Sequence, residues 1–168
     1  AISAFLRSDH ILPANSKLED MPYIWGNNSN DKAMLETQTL YVKGSLVSGQ
    51  QYGVYRPGDV YKDSKSGDIL GQRAIMTGVV TAGAAHPDGI TEVLLTKNMK
   101  DVQQGDRVLP LPEQENLDAY FTLQPAALQG TGEIIAMSGD SSIAGKYEVV
   151  FLNKGLKDGV KSGQVFAV

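Results

Sequence analysis

From Gln38 onward the chain reads as short β-branched or aromatic runs broken by glycine: TLYVKG, QYGVYR, ILGQRAIMTGVVTAG, ITEVLLTK, DRVLPLP, YFTLQPA, GEIIAM, KYEVVFLNKG and GQVFAV. Runs of this length and composition are strands, and turns at such short intervals confine the chain to a β-sandwich or a barrel. Glu92, Glu133 and Glu148 alternate with apolar neighbours, the pattern of a sheet with one solvated face. The first quarter differs. Ile2, Phe5 and Leu6 stand at helical spacing, which predicts a short helix ending before Pro13, followed by an extended arm and a polar loop, GNNSNDK. PEQENLDAY, around residues 112–120, reads as a helical turn or a polar loop. A chain of 168 residues can bury one sizeable core or two small ones. The expected fold is mainly β. It has an N-terminal helix, arm and loop over 1–37, a first β module over 38–111 and a second over 112–168. Each module is a small barrel or sandwich, and the two are able to pack as one domain.

The C-terminal stretch GLKDGVKS invites comparison with a phosphate-binding loop. Such a loop needs Gly, four residues and then Gly-Lys-Ser/Thr, followed by a helix whose N–H groups face the phosphates. Here Gly155 and Gly159 are three residues apart, Val160 intrudes before Lys161, and the remaining GQVFAV is β-prone. An internal repeat explains the stretch instead. VLLTKNMKDVQQGDRVLP aligns with VFLNKGLKDGVKSGQVFAV, so that Lys97 meets Lys154 and Asp101 meets Asp158; after one inserted residue, Gly159, Val102 meets Val160 and Gly105 meets Gly163. A fainter copy runs through Lys43, Gly44, Ser48, Gly49 and Gln50. The recurring unit is a strand, a lysine-bearing turn, one apolar plug and a glycine that opens the next strand, with Gly105, Gly155 and Gly163 as turn glycines.

The chemistry-bearing residues are few. The absence of cysteine excludes thiolate zinc sites, CxxC redox chemistry and a cysteine nucleophile. A net charge of −4 with scattered lysines argues against a nucleic-acid partner. No apolar run is long enough to span a bilayer, and AISAFLRSDH lacks the regions of a signal peptide. His10 and His86 stand apart from any second imidazole or dense carboxylate cluster; Asp59, Asp63 and Asp68 miss the spacing of a calcium loop. The serines of SGDSSIAG have no base nearby in sequence, and there is no G-x-S-x-G elbow. Neither a catalytic centre nor a metal or cofactor is expected. Aromatic residues crowd into the first 61 positions: Tyr23, Trp25, Tyr41, Tyr52, Tyr55 and Tyr61. They form either core and cross-strand packing or a platform that stacks on sugar rings. Trp25, Tyr23 and Tyr55 are the ligand-binding candidates, Trp25 first because it adjoins the polar loop.

The segments AISAFL, MPYIWG, LYVKG, YGVYRPGDVYKDSKSGDILGQRA, GDRVLPLP and GEIIAMSGDSSIAGKYEVVFLNKGLKDGVKSGQVFAV together resemble the region that follows the LysM module in a family of proteobacterial LysM peptidoglycan-binding proteins. The likeness covers nearly the whole chain and is most specific in the last forty residues. It implies a periplasmic setting, attachment to peptidoglycan through a LysM module and a second envelope protein as partner. No LysM pattern occurs between Ala1 and Val168, so the family's glycan-binding residues have no counterparts to carry over. The expected role is therefore that of a non-catalytic accessory region, with a glycan-binding module in its own right as the alternative and a wall-modifying enzyme behind both.

Overall fold

The structure, a computed structural model, describes residues 9–16, 18–27, 34–111, 124–125, 130–137, 143, 145–146, 148–161 and 163–167. It is mainly β. Seven strands, β1 (Asp9–Pro13), β2 (Tyr23–Asn27), β3 (Thr39–Lys43), β4 (Gln51–Lys62), β5 (Ile69–His86), β6 (Ile90–Asn98) and β7 (Arg107–Pro110), join in one antiparallel sheet of order β1-β5-β4-β7-β2-β3-β6. Because β6 also pairs with β5, the last six strands close on themselves as a barrel. Closure gives each of those strands a neighbour on both sides. β5 is long enough to pair β1 over Gly71–Ile75 and β6 over Gly78–His86.

The alternation seen in sequence fills the barrel. Ile24, Leu40, Val42, Val54, Val80, Val93, Leu95 and Val108 turn inward and are almost fully enclosed. Each contributes about 1.5–3 kcal/mol of transfer free energy. A second apolar cluster, Tyr55, Ala74, Met76 and Val79, takes Leu12 of β1 together with Leu109 and Leu111 against it. Gly78 is a close approach: a Cβ there would stand 2.6 Å from the Lys97 carbonyl oxygen and from a Val102 methyl.

Two expectations for the first quarter are corrected. Residues 1–8 lie outside the described ones, but Asp9–Pro13 is a strand, paired from Asp9 opposite Ile75 to Pro13 opposite Gly71. Pairing with β5 and the packing of Leu12 hold that stretch extended, while Ile2, Phe5 and Leu6, which carry the helical spacing, lie outside the described residues. The expected arm contains β2, a barrel strand between β7 and β3, because Ile24 faces the core while its neighbours face out.

The chain forms two compact units, residues 1–60 with 71–112 and residues 61–70 with 113–168. The described part of the second contains β8 (Gln124–Pro125) parallel to β11 (Gln164–Val165) and β9 (Ile134–Met137) antiparallel to β10 (Val150–Leu152). The tip of the β4–β5 hairpin belongs to this unit. Its Ser64 hydroxyl donates to Glu133 at 2.6 Å, and Glu133 and Asn153 exchange bonds through the Glu133 N–H, the Asn153 side chain, the Asn153 N–H and the Glu133 carbonyl. The segments 112–120 and 138–142 lie outside the described residues.

Four turns share one construction. At Leu35–Gln38, Val47–Gln50, Gln103–Asp106 and Lys161–Gln164 the fourth residue's N–H donates to the first residue's carbonyl at 3.1–3.3 Å. The third residue has positive φ: 67° at Thr37, 81° at Gly49, 92° at Gly105 and 85° at Gly163. A positive φ at the third position of such a turn favours glycine there. The fourth side chain then reaches back to the first N–H, from Gln38 at 3.0 Å, Asp106 at 3.0 Å and Gln164 at 2.9 Å. In the remaining copy Tyr52 relays the contact, accepting from Val47 N–H and donating to Gln50. Gly155 opens a turn of another kind, in which the Asp158 N–H donates to the Gly155 carbonyl at 2.9 Å. Its φ is −147°, a backbone that other residues adopt, and its N–H donates to Asp158.

Candidate functional site

The barrel's outer face is built by the residues that alternate with its core. On β2, Tyr23 and Trp25 flank inward-facing Ile24; on β3, Tyr41 and Lys43 flank Val42; on β7, Arg107 precedes Val108. Register places Tyr55, Arg107, Tyr23 and Lys43 in one row across β4, β7, β2 and β3. The Arg107 guanidinium lies over the Tyr23 ring, 5.3 Å from its centroid, and Nη1 donates to the carbonyls of Glu19 and Met21. Such stacking holds a partly desolvated cation at a fixed place.

Trp25 is displayed by a bulge. Ile24 stands opposite Val42 and Gly26 opposite Tyr41, which leaves Trp25 as the additional residue on β2. A bulge of this kind re-aims the side chain it carries. The indole is 50% exposed, and the Trp25 carbonyl is fixed by the Gln104 side chain at 2.7 Å. Gly26 has open space where a Cβ would stand, so the surface beside Trp25 and opposite Tyr41 carries no side chain to fill it.

The three aromatic candidates do not share one environment. Tyr23 and Trp25 face outward together on β2. Tyr55, next but one in the cross-strand row, is 3% exposed and lines an apolar cleft of about 250 Å³ with His10, Leu12, Ala74, Leu109 and others. Its ring stands 5.8 Å from that of His10, and burial pushes its phenol up to about 12. Tyr52 is buried in the barrel. His86 Nε2 meets Glu92 at 2.9 Å on the exposed surface, and Asp63 is occupied by the N–H groups of Lys65 and Ser66. Among the described residues no group of three or more His, Asp or Glu is placed to hold a metal.

Sequence reasoning passed over two residues. Asp106 is 3% exposed and takes Arg56 through Nε at 3.0 Å and Nη2 at 3.1 Å, with the Thr77 hydroxyl at 2.9 Å and the Gln103 N–H at 3.0 Å. Both oxygens of this buried carboxylate thereby accept hydrogen bonds, as burial of a charge requires. Arg107, directly after it, organises the outer row. The available signal was the dipeptide Asp106-Arg107 at the foot of an apolar strand, where two charges side by side point to opposite faces. Compared with protein-family models and with curated proteins, the chain matches none.

Proposed function

We propose that this chain is a non-catalytic interaction region of a periplasmic cell-envelope protein, held to peptidoglycan by a LysM module outside residues 1–168 and presenting its barrel to another envelope protein or to the wall. The observation that carries the reading is the outer face of β2, β3 and β7, where Tyr23, Trp25, Tyr41, Lys43 and Arg107 are presented on a rigid closed sheet. Sites built on strands hold their geometry better than sites on loops. The turn common to Gln103–Asp106 and Lys161–Gln164 supports reading both units as carrying a duplicated strand–turn–strand element. An antibody raised against this chain, used on fractionated source cells, tests the assignment. It finds the protein in the periplasm, bound to sacculi until muramidase digestion; a cytosolic, unbound protein overturns it.

A second reading, a glycan-binding module in its own right, is favoured by the half-exposed indole of Trp25. Flat aromatic faces stack on the apolar faces of sugars while polar neighbours hold the hydroxyls. Sedimentation of the isolated chain with purified sacculi separates the two. Retention in the pellet, lost in a Trp25→Ala variant, supports the module; protein left in the supernatant supports the accessory role.

A further inference from the structure

We infer that the outer face around Trp25 is a subsite for a carboxylate-bearing saccharide. The sugar ring stacks on the indole over the open surface at Gly26, and the acid group is directed to Arg107 and Lys43. This rests on the second reading above and adds the charge of the ligand to it. Arg107 and Lys43 flank Tyr23 in the cross-strand row, one on each side. Among the described residues neither is paired with a carboxylate: Arg107 donates to two backbone carbonyls and covers a phenol ring, while Lys43 donates to the Asp88 carbonyl at 2.7 Å. Both cations stand on one face, and the acidic residues next to them, Glu19 and Asp88, meet them through backbone carbonyls rather than through their carboxylates. The carboxylate nearest in register, Glu92 opposite Tyr41, meets His86 Nε2 at 2.9 Å. A carboxylate brought between Arg107 and Lys43 meets two cations that no side-chain carboxylate holds among the described residues.

A saccharide fits this face better than an apolar peptide. The surface beside Trp25 is an open shelf bordered by Tyr41 and by backbone at Gly26. The apolar cleft that would take a buried side chain lies elsewhere, beneath Tyr55. Stacking supplies the adhesion, and the cations supply the preference for an acid.

Trp25 is the single tryptophan, so its emission reports directly on the subsite. N-acetylmuramic acid and N-acetylglucosamine, which differ by a lactyl carboxylate, are titrated against the whole chain. Both perturb the emission, and the acid binds roughly fivefold more tightly, the scale of one partly exposed ion pair. The preference fades in about 0.5 M salt, where charges are screened within a few ångströms. Arg107→Gln and Lys43→Gln each reduce the preference while leaving the response to the neutral sugar. Should Arg107→Gln disturb the fold through its lost carbonyl contacts, Lys43→Gln carries the test. Equal affinity for the two sugars, a preference that survives Lys43→Gln unchanged, or no titration of either overturns the inference. Equal affinity leaves the glycan-binding reading standing, and cell fractionation decides the envelope assignment independently of Trp25.

Discussion

The turn Gln103–Asp106 in the barrel and the turn Lys161–Gln164 in the second unit are built alike down to individual bonds. Each places glycine third, at φ 92° and 85°, and each returns its fourth side chain to the first N–H. Upstream, the N–H of the apolar plug is held in both, Val102 by the Asn98 side chain and Val160 by the Gly155 carbonyl, each at 3.1 Å. Their surroundings differ. Val102 is 1% exposed and touches the barrel core, whereas Val160 is half-buried. Asp106, itself buried, anchors a half-exposed Arg56, whereas Gln164 opens a two-residue strand. Local sequence thus determines the turn, while what surrounds the turn determines how much energy it carries.

The fourth residue offers the largest test of that contrast. Asp106→Ala strands Arg56 and leaves the Thr77 hydroxyl and Gln103 N–H without their acceptor. Removing one partner of a fully buried pair costs about 3–5 kcal/mol; because Arg56 keeps a third of its side chain in water, about 3 kcal/mol is expected. Gln164→Ala removes a single bond in a more open place and costs less than about 1 kcal/mol. Urea unfolding measures both. Equal losses would mean that the two turns carry equal weight and would break the comparison.

That contrast also marks what could be read from the sequence. Turn and strand chemistry depend on neighbours in the chain, so the strand-rich texture was legible, and the glycines at 105 and 163 lie where φ is positive. The barrel's closure was not, because it depends on β6 returning to β5 and on Tyr23–Asn27 joining β3 and β7, pairings set by distant partners. Trp25 was legible as an aromatic beside a polar loop. Its display was not, since a bulge is a slip in register between two strands. Tyr55 shows the limit of composition: it is the same residue type as Tyr23 in the same cross-strand row, yet Leu12 of β1 and Leu109 cover the surface around it.

A middle-sized effect tests the glycines. Both are in the left-handed region, so valine at either position is strained whether or not there is room for its side chain. Gly105→Val and Gly163→Val should each cost about 1–3 kcal/mol. Two neutral substitutions would remove the equivalence. Thr37 sharpens the same point from the opposite side. It fills the glycine position of the Leu35–Gln38 turn with a β-branched residue at φ 67°. Thr37→Gly relieves that strain and should raise stability by up to about 1 kcal/mol, read as an upward shift in the urea midpoint, whereas glycine ordinarily weakens an exposed position.

The smallest effect belongs to the lysines that first made the C-terminal stretch look like a phosphate loop. Lys157 and Lys161 are exposed, and Lys154 meets Asp158 at 3.1 Å in a pair open to water. Replacing all three with Gln should shift stability by less than about 1 kcal/mol, and neither ATP nor GTP should raise the melting temperature of the parent. A nucleotide-dependent rise abolished by the triple substitution would make the stretch a site after all. The Asp158 carboxyl refines this prediction. It lies below its ordinary 3.8, first because the Gly155 N–H donates to it and then because Lys154 is beside it. A carboxyl lowered on folding favours the folded state above its unfolded pKa, and that contribution is lost as pH falls through the lower, folded value. In the triple variant only the lysine's share disappears, so the Asp158 side-chain carbon resonance should titrate at somewhat higher pH than in the parent and still below 3.8. A return to the ordinary value would show that Lys154, rather than the turn's own N–H, holds this carboxylate, and the turn would then owe more to its lysines than its bonds indicate.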